Sequence, residues 1–289
     1  MKGYIVSGGW LANKLFIFAN FIAWAEEHKI EISFPSFKKY AHFFITSSHI
    51  YNPNISSQNK NVNKPSSKFS LFLVDLGYRI ARICFRLKLN NNIVSCYYLD
   101  HGKELLMDDQ HFSQMKKSKV AFFQGWLFRV PTEIFQKHKN KVKEHFQITR
   151  NNAETIDRIL NPLFGPNNLI IGVHIRQGDY KTFENGKYYY SKDIYNKQMQ
   201  QIILLFASKN VKFLICSDEK QYEKDFPGLE VFISNEHYIT DLYILSRCNF
   251  IIGPPSSFSM WASFYGNVPL CLIENEEMKI TTEDFKIRL

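Results

Sequence analysis

The second half of the chain alternates short, apolar, β-branched runs with helical segments, and this rhythm constrains the fold more than any other feature. The runs lie at 169–175, 211–216, 230–233, 250–252 and 269–273. Strands separated by helices form a mostly parallel sheet, because the helix carries the chain back to the edge where the next strand starts. The sequence therefore predicts an α/β fold that binds its ligands beyond the carboxyl ends of the strands.

The first half opens with the same kind of unit. A buried strand is predicted at 3–7, ending at Gly8-Gly9, then a helix at 13–28 and a strand at 30–34. Further strands are predicted at 94–99 and 119–124, and further helices at 132–147 and 151–160, the last capped by Asn151 or Asn152. Helices capped by Ser191 and Thr240 are predicted at 191–208 and 240–247.

Length and local composition suggest how this fold is divided. A chain of 289 residues is long enough for two domains, which we place at 1–160 and 161–289. Residues 46–70 are rich in Ser, Asn and Pro, which predicts a long mobile surface loop. The following segment, 71–89, is amphipathic and basic, and two interpretations stay open: contact with a membrane surface, or an ordinary surface helix.

The formal charge of +9 suggests three kinds of partner: nucleic acid, an anionic membrane surface or a phosphate-bearing substrate. The basic residues form no single block and no nucleic-acid-binding motif appears, which argues against nucleic acid. No apolar stretch reaches 18 residues and no signal peptide precedes the first strand, so we expect a cytoplasmic protein. The five cysteines form no Cys-x-x-Cys pair, which predicts free thiols and no metal site.

The first candidate site segment follows the strand at 169–175. His174 and Arg176 are two positions apart, so in a strand their side chains point to the same face. A guanidinium suits a diphosphate because it keeps its charge and offers several donors. Asp179 follows just beyond Gly178, which allows a tight turn. The alternative is an Arg176–Asp179 ion pair that only fastens a loop.

The second candidate is the turn after the strand at 250–252. Two prolines precede Ser256, Ser257 and Phe258, whose backbone N–H groups are predicted to open a helix. Such a helix start attracts anions through its unpaired N–H groups and its dipole. The alternative is that the serines simply cap the helix.

The third candidate is Asp241, near the start of the helix before that strand. Its carboxylate could accept hydrogen bonds from N1–H and the exocyclic amine of guanine, and the alternative is that it stabilises the helix dipole. Asp218, which follows the strand at 211–216, is a similar candidate for donor binding.

Together these segments resemble the motifs of the α-1,2-fucosyltransferases, glycosyltransferase family 11. The resemblance rests on residues 174–180, 216–218 and 241–261, and on the glycine-containing segment 9–16. More distantly, the chain is similar to α-1,6-fucosyltransferases and protein O-fucosyltransferases. Two departures stand out: Gln177 replaces a second arginine found in many members, and Trp10 and Ala12 interrupt the glycine-rich signature.

The resemblance implies a GT-B-like architecture of two Rossmann-type domains facing across a cleft, with the acceptor on the N-terminal side and GDP-β-L-fucose held by the C-terminal domain. Arg176 would hold the diphosphate, and His174 and Asp241 would recognise guanine. Asn13 would face the donor as a further catalytic residue. The phosphates would be wrapped by Ser256, Ser257 and Phe258.

The expected reaction is inverting transfer of L-fucose, α-1,2 to a galactose-type hydroxyl, in the synthesis of surface polysaccharide or lipopolysaccharide. Arg176 would stabilise the leaving GDP, and Asp179 is the first candidate for the general base. No Asp-x-Asp lies at a strand end, so no metal or other cofactor is required. The acceptor would be a glycan or a lipid-linked oligosaccharide, reached from the cytoplasm or from the inner face of the membrane.

Two alternatives to this activity stay open. One is a transferase that uses another nucleotide sugar on the same scaffold. The other is a non-enzymatic protein that binds nucleotides or nucleic acid, which the charge of +9 motivates.

Overall fold

Two units make up the chain, Met1–Thr149 and Arg150–Leu289. The computed structural model describes residues 1–6, 9–54, 76, 79–80, 83–84, 86–87, 91–100 and 102–288. The predicted helix at 71–89 falls mostly outside these residues, as does the predicted loop beyond residue 54. The domain boundary predicted from the sequence lies after residue 160, whereas the units divide eleven residues earlier, before the helix Arg150–Leu160.

The first unit contains a five-stranded sheet in the order β3-β2-β1-β6-β4 and a separate pair, β5 and β7. All neighbours in the larger sheet are parallel except β3, which runs antiparallel to β2. The strands are β1 Lys2–Ile5, β2 Glu31–Ser33, β3 Ile50–Tyr51, β4 Val94–Tyr98, β5 Leu105–Leu106, β6 Val120–Gln124 and β7 Phe128–Arg129. The helices are α1 Leu11–His28, α2 Lys38–Ala41, α3 Asp109–Met115 and α4 Thr132–His145.

Helix α1 covers one face of this sheet with aromatic side chains. Phe21 and Trp24 are fully buried and lie 4.8 and 5.7 Å, between ring centroids, from Phe123 of β6. Phe123 in turn stacks on Tyr97 of β4 at 5.3 Å. Since aromatic rings bury large areas and favour edge and offset contacts, this cluster fixes α1 against the middle of the sheet.

The second unit contains a five-stranded sheet in the order β10-β9-β8-β11-β12, and all of its strand pairs are parallel. Its strands are β8 Asn168–Ile175, β9 Asn210–Ser217, β10 Val231–Ile233, β11 Phe250–Gly253 and β12 Leu270–Leu272. Its helices are α5 Arg150–Leu160, α6 Lys192–Leu205, α7 Tyr238–Leu245 and α8 Ser257–Gly266. The parallel sheet predicted from the strand rhythm is confirmed.

Both five-stranded sheets reverse their strand order at one point. In the second unit the chain moves from β8 to β9 and β10, then returns to place β11 on the other side of β8. In the first unit the corresponding break lies between β1 and β6. Adjacent loops diverge at such a break and leave a crevice outside the carboxyl ends of the strands.

Several predicted helix starts differ from the structure. Ser191 caps α6 as predicted, and its hydroxyl accepts a hydrogen bond from the Ile194 N–H. The predicted cap Thr240 is wrong, because His237 caps α7 and its ring accepts from the Ile239 N–H at 3.3 Å. Asn151 and Asn152 are wrong as caps as well, since α5 already begins at Arg150 and both lie within its first turn.

The predicted loop at 46–70 differs in the part that the structure describes. Ile50–Tyr51 forms β3, with Ile32 opposite Tyr51. The Tyr51 hydroxyl donates a hydrogen bond to Glu26 of α1, which ties the strand to the helix. A two-residue strand carries too little pattern to be read from sequence.

The cysteines and the lengths of the helices complete the description of the fold. All five cysteines are free, and Cys96 is the one that is only half-buried. Within the described stretches, no helix is both long enough and apolar enough to cross a membrane.

Candidate active site

The carboxyl ends of β8, β9 and β11 meet at the break in the second sheet. His174 of β8 lies opposite Cys216 of β9 in the strand register. On the other side Gly253 of β11 approaches so closely that a Cβ there would lie 2.8 Å from the His174 carbonyl oxygen. The close packing brings three sequence segments separated by up to eighty residues to one edge of the sheet.

Arg176 follows β8 and is held by two carboxylates. Its Nε and Nη2 each donate to one Asp179 oxygen at 2.8 Å, and Nε lies 3.4 Å from Asp218 Oδ2. This bidentate pairing raises the pKa of Arg176 and lowers the pKa of Asp179. A guanidinium has five N–H donors, so the pairing leaves three of them for an anion.

Asp218 also fixes the backbone of the loop after β8. Its carboxylate accepts hydrogen bonds from the Gln177 N–H at 2.8 Å and the Gly178 N–H at 3.2 Å. The Gln177 side chain is buried, donates to the Tyr190 carbonyl at 2.9 Å and accepts from Gln221 at 3.2 Å. At the position where many relatives are expected to have a second arginine, this chain therefore has Gln177, whose buried amide has a structural role.

Tyr180 joins this loop to the turn after β11. Its hydroxyl donates to the Pro255 carbonyl at 2.6 Å, and its ring lies 5.4 Å from the Arg176 guanidinium carbon. Ser256 then caps α8, accepting from the Phe258 N–H at 3.2 Å. Ser257 is the first helical residue, so the opening N–H groups of a ten-residue helix lie beside the loop that carries Arg176.

His174 is buried, with 3% of its surface exposed, and its ring stacks on Phe258 at 4.9 Å. Burial, reinforced by the positive charge of Arg176, lowers the pKa of His174 to about 3. The imidazole is therefore neutral at physiological pH. Its Nδ1 has no hydrogen-bond partner among the residues that the structure describes.

Asp241 lies on α7 against the end of β9. Its carboxylate accepts a hydrogen bond from the Ser234 hydroxyl, and its backbone carbonyl lies 3.9 Å from Cys216 Sγ. Burial raises the pKa of Asp241 to about 7. A ligand with paired N–H donors, as on the Watson–Crick edge of guanine, would favour the ionised form of this carboxylate.

Asn13, the predicted site residue in the first unit, lies in the first turn of α1, partly exposed. The next residue, Lys14, is buried and donates to the Ser36 hydroxyl at 2.8 Å. Burial lowers the pKa of Lys14 to about 8. The burial of Lys14 was not predicted, because a lysine in an otherwise apolar helix suggests a position on the solvent-exposed side.

The other predicted residues come together around the ends of β8, β9 and β11. Sequence reasoning missed the contacts of Tyr180, Ser234 and Gln221. Ser234 directly follows the strand Val231–Ile233, and that position could have revealed it. The Gln221 contact had no local signal. No cluster of three or more His, Cys, Asp or Glu side chains suited to a metal occurs in the described part of the chain.

Solved structures of fucosyltransferases share this fold. A mutant of Arabidopsis thaliana FUT1 in complex with GDP has a TM-score of 0.58 and 13% identity, covering 99% of this chain and 73% of that one. POFUT1 in complex with GDP has a TM-score of 0.54 and 12% identity, with coverages of 92% and 94%. The fucosyltransferase NodZ from Bradyrhizobium has a TM-score of 0.54 and 15% identity, with coverages of 96% and 96%.

Identities this low show the fold alone, and the predicted GT-B-like α/β fold is confirmed. None of the curated protein sequences matches the chain. The sequence model described as glycosyl transferase family 11 matches residues 73–278, which is more than half of the chain and includes all of the second-unit site residues. The chain, with the fold of the fucosyltransferases, therefore belongs to glycosyl transferase family 11.

Proposed function

We propose that the chain is an inverting fucosyltransferase that moves L-fucose from GDP-β-L-fucose to a hydroxyl group of a glycan. The observation that carries the proposal is Arg176, oriented by Asp179 and Asp218 and retaining three N–H donors beside the start of α8. This arrangement suits the diphosphate of a nucleotide sugar. Structures with the same fold are complexes of a FUT1 mutant with GDP and of POFUT1 with GDP and with GDP-fucose.

In this reaction the acceptor hydroxyl oxygen bonds to the anomeric carbon as the bond from that carbon to GDP breaks, so negative charge grows on the diphosphate. The hydroxyl proton passes to a general base, for which Asp179 is the first candidate from the sequence. Arg176 and the N–H groups near Ser257 stabilise that charge, which is commonly the largest single contribution to such catalysis. His174 and Asp241 bind the guanine, and Ser256 and Phe258 shape the turn around the phosphates. By the resemblance, Asn13 is a further catalytic residue, and the first unit holds the acceptor.

The finer assignments follow from the resemblance. The linkage is α-1,2 to a galactose-type acceptor, in a surface polysaccharide or a lipid-linked oligosaccharide. The enzyme works in the cytoplasm or at the inner face of the membrane, and it needs no metal. The donor-binding domain corresponds to 161–289 and the acceptor domain to 1–160.

A donor panel tests this proposal directly. Purified protein is mixed with lactose and with GDP-fucose, GDP-mannose or UDP-galactose, with and without EDTA, and release of nucleoside diphosphate is measured. We expect release from GDP-fucose alone, unchanged by EDTA, and a product of inverted anomeric configuration by NMR. Preference for another donor would support the alternative transferase. Salt-dependent binding of nucleic acid without turnover of any donor would support the non-enzymatic alternative.

The role of Asp179 gives a separate prediction. Both of its oxygens bind Arg176, so its main contribution is expected to be orientation of the guanidinium. Asp179→Asn should lower kcat/KM by about tenfold, because it replaces a charge-assisted pairing with a weaker neutral one. The pH profile of kcat/KM should keep its shape. If the substitution instead removed the acidic limb of that profile, Asp179 would be the general base predicted from the sequence.

Asp225 offers a matched control for this substitution. It also carries a pKa lowered by an ion pair, with Lys192, but it lies on the 3-10 turn Glu223–Asp225 and contacts none of the proposed site residues. Asp225→Asn should leave kcat/KM within about twofold of the parent protein, the size expected for a surface substitution.

A further inference from the structure

Exposed aromatic side chains in the first unit lie at one edge of its sheet. Across the described residues of Met1–Thr149, the exposed Phe, Tyr and Trp residues are Trp10, with 75% of its surface exposed, Tyr98 with 59% and Trp126 with 39%. The many other aromatic rings of this unit are buried or half-buried. Large exposed apolar groups gathered at one place commonly mark a binding surface.

These three residues follow the carboxyl ends of three neighbouring parallel strands. Trp10 precedes α1 just after β1, Tyr98 ends β4, and Trp126 follows β6, which lies between them. The ends are level, because Ile5 of β1 lies opposite Phe123 and Tyr98 lies opposite Gln124. The aromatic side chains therefore belong to one edge of one sheet.

That edge is also where the strand order of the first sheet reverses, between β1 and β6. Trp10 and Trp126 follow the two strands that flank the break. Gly125 holds the turn before Trp126 with a φ of +142°, and a Cβ there would lie 2.7 Å from Leu99 Cβ. The turn is thus closely packed, and it presents Trp126 at the position where an α/β sheet binds its ligand.

The chemistry of this edge differs from that of the second unit. At β8, β9 and β11 the edge carries Arg176 and a set of carboxylates, which suit a charged diphosphate. At β1, β6 and β4 it carries aromatic rings together with amides, Asn13 and Gln124. Flat rings stack on the C–H face of a sugar, while amides hydrogen-bond to its hydroxyl groups. The surface therefore fits a neutral pyranose ring better than a phosphate.

We propose that Trp10, Tyr98 and Trp126 form an aromatic platform that binds the sugar rings of an uncharged glycan acceptor. The inference rests on the proposed function, because a transferase needs an acceptor site in addition to its donor site. It adds to that function the side chains that hold the neutral sugar rings of the acceptor.

Tryptophan fluorescence tests the platform without any need for turnover. Trp24 and Trp261 are fully buried, so Trp10 and Trp126 are the two tryptophans that a glycan can reach. Titration with lactose should shift the emission of the parent protein to shorter wavelength. The shift should be lost in the double substitution Trp10→Phe and Trp126→Phe. No shift in the parent protein up to the solubility limit of lactose would overturn the platform.

Acceptor kinetics give a second, independent test. Tyr98→Ala and Trp126→Ala should each raise the KM for lactose about 5- to 10-fold, the size of one lost aromatic contact, and leave the KM for GDP-fucose unchanged. Tyr98→Phe should restore the parent value. The control is Ile93→Ala, which removes a side chain that is 64% exposed just before β4, at the opposite edge of the sheet.

The outcomes separate the platform from the proposed function. If GDP-fucose turnover is normal and the Ala substitutions leave the acceptor KM unchanged, the platform is wrong and the proposed function stands. If no donor is turned over but lactose still gives the fluorescence shift, the proposed function fails and the platform stands. A third outcome would assign the surface to lipid: the parent protein binds phosphatidylcholine–phosphatidylglycerol vesicles, Tyr98→Ala abolishes that binding, and lactose does not shift the fluorescence. In that case the surface is a lipid contact and the platform is wrong.

Discussion

Arg176→Ala is expected to lower the turnover of GDP-fucose by at least about 100-fold, the loss typical of removing one donor from developing negative charge. The substitution removes the cation that Asp179 and Asp218 hold at the end of β8. The negative charges of those two carboxylates then lie beside the diphosphate without a neutralising cation. Gln177, whose side chain is buried, supplies no second positive charge. Steady-state release of GDP, with folding checked by circular dichroism, measures the effect.

Two further substitutions control this experiment. Arg176→Lys keeps a positive charge but cannot pair with both Asp179 oxygens through a planar fork, so its activity should lie between that of Ala and the parent protein. Arg247→Ala removes an arginine that pairs with Asp157 of α5 and contacts none of the proposed site residues. It should retain activity close to the parent value. Near-full activity in Arg176→Ala would contradict the assignment of the diphosphate site.

Gly266→Ala is expected to destabilise the second unit by about 3 kcal/mol, the upper end for overpacking a tight contact. Gly266 ends α8 where that helix passes α7, and a Cβ at this position would lie 1.8 Å from the Ser246 carbonyl oxygen. The contact is with backbone, so relief requires the two helices to move apart. Urea unfolding followed by fluorescence should show a lower midpoint with an unchanged slope.

Gly165→Ala is the matched control for this prediction. A Cβ at Gly165 would meet the Asn168 side chain at 3.1 Å, and a side chain can move where a helix backbone cannot. The change in stability should stay below about 1 kcal/mol. An equal loss in both variants would mean that the α7–α8 contact is not the cause.

Apart from the two-residue strand β3, the strands of both five-stranded sheets could be predicted because their signal is local. Residues 169–173 of β8 are continuously apolar, and such a pattern predicts a buried strand whatever surrounds it. Helix starts were less predictable. At the start of α6, Ser191 is the predicted cap and also the observed one. At the start of α7, His237 lies three residues before Thr240, and the helix extends back to His237 instead of starting at Thr240.

The site was predictable to the extent that it depends on strand ends. His174, Arg176, Asp218 and Ser256 each follow or end a predicted strand, so the rule for parallel sheets placed them together. The contacts that orient them depend on side-chain packing between distant segments. Neither the hydrogen bond from Tyr180 to the Pro255 carbonyl nor the burial of Gln177 has a signature in the local sequence.

The sequence also left two interpretations of Arg176 and Asp179 open, and the structure shows that they are compatible. The ion pair that would fasten the loop is present. Because it occupies only one side of the guanidinium, it orients the other side instead of consuming it. Fastening the loop and binding an anion are therefore two roles that Arg176 can fill together.

The pairing of one arginine with two carboxylates has a consequence for the exit of the product. Arg176, Asp179 and Asp218 together carry a net negative charge, so the guanidinium offers directed hydrogen bonds without an excess of positive charge from these three side chains. In the proposed reaction GDP leaves with more negative charge than GDP-fucose brings in. The two carboxylates offset part of the attraction between Arg176 and GDP, so the product is expected to be held less tightly than an unpaired arginine would hold it.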